Sequence, residues 1–96
     1  MISNIQAIFY TIIHVGSNTE NESFITSTSR GSFLSLSAAR EELAKQISQE
    51  KSRIPTEYDC EEQGEDFWMS YQDGFAAAAY TRLEIVTTTL NLERSA

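Results

Sequence analysis

The ten residues Gln6–Val15 constrain this chain more than any other stretch. They are mostly Ile, Phe, Tyr, Thr, Val and Ala. β-Branched and aromatic side chains lose rotamer freedom in a helix and fit the pleated surface of a strand. Ala7, Phe9, Thr11, Ile13 and Val15 fall on one face of such a strand, and Ile8, Tyr10, Ile12 and His14 on the other. A strand apolar on both parities predicts a central position in a sheet, with both faces at least partly covered.

The remaining elements follow from punctuation and periodicity. Residues 16–21 read as a polar turn, and Glu22–Ser27 as a second short strand around Phe24 and Ile25, which together predict a hairpin. Thr28–Ser32 reads as a loop. Ser35 or Ser37 is placed to accept a hydrogen bond from an early helix amide. The good helix formers of 38–47 follow, and Leu36, Ala39, Leu43 and Ile47 form one apolar stripe. The helix should end near Arg53, because Pro55 disfavours helical geometry in the residue before it. Thr56–Asp66 is the least hydrophobic segment and reads as an exposed loop made flexible by Gly64. Phe67–Tyr71 is strand-like, and Asp73-Gly74 signals a turn. Tyr80–Leu90 predicts another strand, with a short helix over Ala76–Leu83 as the alternative and a frayed tail over Asn91–Ala96.

The expected fold is therefore α+β: an antiparallel sheet, in chain order β-β-α-β-β, with one main helix packed on one face. The chain of 96 residues is expected to form a single domain over 1–96, with no internal repeat. A domain of this size has a thin core and a stability of about 5–10 kcal/mol. The layout resembles that of many small proteins from bacteria and their phages, without pointing to a family.

Charge narrows the partners. The net charge is −7, from 14 acidic and 7 basic residues. Such a field repels phosphate backbones and anionic membranes, so direct nucleic-acid or membrane binding is not expected. The apolar run Ile5–Val15 is also shorter than the ~20 residues that cross a bilayer. No Lys or Arg precedes Arg30, so the positive flank of a secretory signal is missing. With Cys60 as the single cysteine, the expected location is the cytoplasm of its own cell or of a host.

Catalytic chemistry finds little to work with. His14 and Cys60 are the only histidine and cysteine, and Asp59, Glu61 and Glu62 around Cys60 disfavour its thiolate. His14 reads as a strand residue on the less buried face and Cys60 as a passive loop thiol. Asp59–Gly64 echoes the start of a calcium-binding loop, but the twelfth position is Ser70, where a bidentate glutamate is required. Glu84, midway along an apolar strand, is the one carboxylate worth inspecting as a buried acid. No catalytic residue, metal or cofactor is expected.

What remains is a surface. Six of the ten residues from Glu57 to Asp66 are acidic and none is basic. The expected partner-binding residues are Glu57, Asp59, Glu61, Glu62, Glu65 and Asp66, with Trp68 and Tyr71 as an adjoining aromatic hot spot. Trp68 also reads as a core anchor. The expected function is a non-enzymatic module, such as a phage- or mobile-element-type inhibitor, that occupies a basic, nucleic-acid-binding site on a partner protein. The alternatives are a homodimeric structural protein, whose strand edges or Thr-rich last strand pair with a copy, and a small enzyme.

Overall fold

A computed structural model describes residues 2–17, 25–72 and 80–95. Strand β1 (Ile2–Ser17) is followed by β2 (Ile25–Phe33), helix α1 (Leu36–Lys51), β3 (Cys60–Gln63), β4 (Phe67–Tyr71) and β5 (Tyr80–Ser95). The strands form one antiparallel sheet in the order β2-β1-β5-β4-β3. The class is the expected one, but the chain order has three strands after the helix instead of two. The extra strand is β3, inside the acidic segment read as a loop. Its side chains are polar because they edge the sheet, so hydropathy does not reveal them.

The central position of β1 is explained by its two neighbours. It pairs with β2 over Tyr10–Ser17 and with β5 along its whole length, from Ile2↔Ser95 to Ser17↔Tyr80. This ladder extends β5 through the tail expected to fray. Tyr80–Leu83 is strand, whereas the Asp73-Gly74 turn and Ala76–Ala79 lie outside the described residues.

β2 runs through Thr28–Ser32, the segment read as a loop. Its register against β1 shifts between Thr11 and Ile13, which leaves Arg30 and Gly31 opposite Ile12. Gly31 carries a φ of 120°, a conformation that side-chain-bearing residues rarely adopt. The glycine that looked like a loop signal is thus the residue that permits a bulge in an edge strand.

α1 starts where serine chemistry dictates: Ser35 Oγ accepts from the Ala38 amide at 3.3 Å. The helix buries Ala39, Leu43 and Ile47 against the sheet. Ile12, Leu43, Ile47, Trp68 and Leu83 form the core, flanked by Phe33, Ile54 and Ile85. The register places Ile12, His14, Leu83, Ile85, Trp68 and Ser70 on the helix side. The opposite, open face carries Phe9, Ile13, Val15, Phe67, Met69, Tyr71, Arg82 and Glu84.

The molecule is elongated. Its radius of gyration is 16.9 Å and its extents are 58 × 29 × 17 Å. A compact domain of this length would have a radius near 12.5 Å, to roughly 10%. The excess comes from β1 and β5, whose far halves run beyond the strands that flank them.

Candidate functional site

The acidic segment surfaces at one edge of the sheet. β3 is the last strand in the order and is held on one side by β4, with Cys60↔Tyr71, Glu61↔Ser70, Glu62↔Met69 and Gln63↔Trp68 opposed. The pleat therefore turns Glu61 to the helix side and Glu62 to the open face. Glu57, Asp59, Glu61, Glu62 and Glu65 are exposed, and Asp66 is half-buried.

Glu61, Glu65 and Asp66 meet the protein's own cations. Arg40 of α1 donates from Nε to Asp66 Oδ1 at 2.7 Å and from Nη2 to Glu65 Oε2 at 3.3 Å. Lys51 Nζ lies 3.6 Å from Glu61 Oε2. Arg40 thus fastens the helix to the β3–β4 turn, so Glu65 and Asp66 serve the fold before any partner. Glu57 and Glu62 have no cation within salt-bridge distance among the described residues. Burial, assisted by neighbouring Glu57, pushes the Tyr58 phenol above its ordinary range.

The two aromatic residues expected beside this segment separate. Trp68 is fully buried on the helix side, so it is a core anchor and not a surface contact. Tyr71, three residues on, faces the open side and is half-buried. The correction follows from the alternation of a strand: residues of opposite parity cannot share a face.

The chemical alternatives also separate. Cys60 and His14 lie on strands with β4 and β5 between them, and the register sets them on opposite faces. Cys60 lies within a strand, not a loop. Glu84 stands on the open face and pairs with Arg82 at 3.4 Å, while the Arg82 guanidinium lies 4.5 Å from the centre of the Phe67 ring. The calcium-like segment is extended strand, and the described residues contain no group of three or more His, Cys, Asp or Glu placed to hold a metal.

One cluster was not legible in the sequence. His14 faces the helix, contrary to its expected place on the less buried face. Arg30 Nη2 donates to His14 Nδ1 at 3.1 Å, which leaves the proton of the neutral ring on Nε2. Nε2 then donates to Thr81 Oγ1 at 2.7 Å, with Glu50 Oε1 at 3.6 Å. Gln46 Nε2 joins by donating to the Arg30 carbonyl at 3.0 Å. The bulge at Arg30 and Gly31 and the last turns of α1 bring these groups together, and no local spacing announces them.

Burial, reinforced by the positive charge of Arg30 and opposed by Glu50, lowers the His14 pKa below its ordinary 6.5. The unfolded chain therefore takes up the proton first as pH falls. His14 contributes its full share of stability above about pH 6.5 and loses it as the pH drops below that value. Urea midpoints measured at about pH 7.5 and about pH 5 should fall with acidification, and His14→Gln should flatten part of that slope. An unchanged slope would mean that the ring is not held neutral.

No protein-family model, curated protein or solved structure matches this chain. Among the described residues, no helix is long and apolar enough to cross a membrane.

Proposed function

We propose that this chain is a non-enzymatic binding module that presents the outer edge of β3 to a basic protein surface, such as the positively charged groove of a nucleic-acid-binding protein. The observation that carries this reading is the exposure of Glu57, Asp59, Glu61 and Glu62 on and beside the terminal strand of the sheet. An edge strand offers a row of backbone donors and acceptors to an extended segment. Carboxylates along it favour a segment rich in Lys and Arg, and Met69 and Tyr71 on the open face supply apolar area beside them. At Glu61, Glu65 and Asp66 a partner competes with Lys51 and Arg40, which already engage them. The single cysteine suits a cytoplasmic site of action, in its own cell or in a host, where an acidic inhibitor of a nucleic-acid-handling protein would meet its target.

The test uses a synthetic Lys/Arg-rich peptide of β-strand propensity. Replacing Glu57, Asp59, Glu61 and Glu62 by Lys should slow its association by about tenfold or more at low salt and remove most of the salt dependence. Equal rates and equal salt slopes for the parent and the reversed protein would end this reading.

A further inference from the structure

We propose that residues 2–9 of β1 form a pairing edge through which two copies of this chain associate about a two-fold axis. β2 flanks β1 only from Tyr10 onward, and β4 flanks β5 only from Tyr80 to Glu84. Residues 2–9 and 88–95 therefore pair with each other as a ribbon with no third strand among the described residues. A two-stranded ribbon is at best marginally stable in water and normally needs a further strand or a packed face.

The exposed apolar residues collect there. Ile5 is 41% exposed, Ile8 45% and Leu90 48%. Leu34, one residue beyond the Phe33 that pairs with Tyr10, is 86% exposed.

The four outer edges of the sheet differ in how they resist pairing. Residues 86–95 of β5, beyond the reach of β4, carry Glu93 and Arg94. β3 is four residues long and carries Glu61 and Glu62. β2 is broken by its bulge at Arg30 and Gly31. Short length, charge and bulges are the usual protections of an edge strand. Residues 2–9 have none of them: they contain no Asp, Glu, Lys, Arg or Pro, in a protein of net charge −7.

An edge without charged residues suits a second copy as the occupant, because the acidic groups of β3 lie at the other side of the sheet. The eight residues of this edge span roughly 27 Å and offer about eight backbone hydrogen bonds to an antiparallel strand. A two-fold axis normal to the sheet pairs β1 with its own copy antiparallel and keeps Ile5 of both copies on one face. The acidic β3 edges then lie on the far sides of the joined sheet, roughly 34 Å apart across the strands and well beyond a screening length of about 8 Å. The repulsion between the two acidic β3 edges is therefore weak in this arrangement.

Sedimentation velocity from about 10 μM to about 1 mM should show a dimer that dissociates on dilution. Ile5→Lys, beside the two-fold axis, should raise the dimer Kd by about tenfold or more by setting like charges near one another; Ile8→Lys should raise it too, by placing a charge on an otherwise unprotected edge, and Glu62→Lys should leave it unchanged. Hydrogen exchange on the unmodified protein gives a measurement independent of variant folding: amides of residues 2–9 should gain protection as concentration rises. A monomer at the highest concentration, a Kd unmoved in well-folded lysine variants, or concentration-dependent protection confined to 86–95 would each overturn the proposal.

Discussion

Trp68→Ala should lower the unfolding free energy by about 3–5 kcal/mol, the range for emptying a large aromatic site in a core. Trp68 has no exposed surface and packs in the cluster of Ile12, Leu43, Ile47 and Leu83, with Leu83 directly opposite it on β5. The core is this small, so the loss is a large part of the about 5–10 kcal/mol expected for a domain of this length. Urea unfolding should show the midpoint collapsing, with the alanine variant partly unfolded in buffer. Trp68→Phe should cost far less. The buried indole Nε1 finds no acceptor among the described residues. Phenylalanine removes that unsatisfied donor, which offsets part of the lost volume. If Trp68→Ala costs less than about 1 kcal/mol, the tryptophan does not anchor this core.

Gly64→Ala is expected to destabilise the fold by about 1–3 kcal/mol, the usual penalty of inserting a carbon into filled space. A Cβ at this position would stand 2.5 Å from Cε1 and 2.9 Å from Cδ1 of Phe67. The Gly64 amide donates to the Phe67 carbonyl at 3.0 Å, which closes the turn between β3 and β4. The ring cannot swing away freely, because it also stacks under Arg82. Phe67→Ala in the Gly64→Ala background should recover part of the loss, so a double-mutant cycle by thermal or urea unfolding should give a coupling of about 0.5–3 kcal/mol. Additive losses would show that the ring does not restrict the turn.

Gly64 also shows where reading the sequence stops. As an isolated glycine in an acidic run it signalled flexibility, whereas its role is to leave room for a ring three residues on. Gly31 repeats the lesson, because its turn-like surroundings concealed a bulge within a strand. The elements with strong local signals were legible: the β-branched β1, the serine-capped α1 with its apolar stripe, and the aromatic β4. β3 was not, because an edge strand needs no apolar alternation, and acidic side chains suit its exposure. The acidic site was legible as composition and largely as exposure. The holding of Glu61, Glu65 and Asp66 by Lys51 and Arg40 was not, since those partners come from the helix, 10 to 26 residues away. The His14 cluster depends on β1, β2, β5 and α1 together, and no window of sequence contains it.

The ladder that joins Ile2 to Ser95 has a kinetic side as well. Its two strands are the most widely separated in the chain, so the middle of the sheet forms only after the largest loop has closed, and topologies dominated by such distant contacts fold slowly. During synthesis, β1 leaves the ribosome long before residues 80–95 exist to pair with it. Its uncharged, β-prone segment stays unpaired while the residues between the two strands are made, an interval in which unpaired strands are prone to associate wrongly.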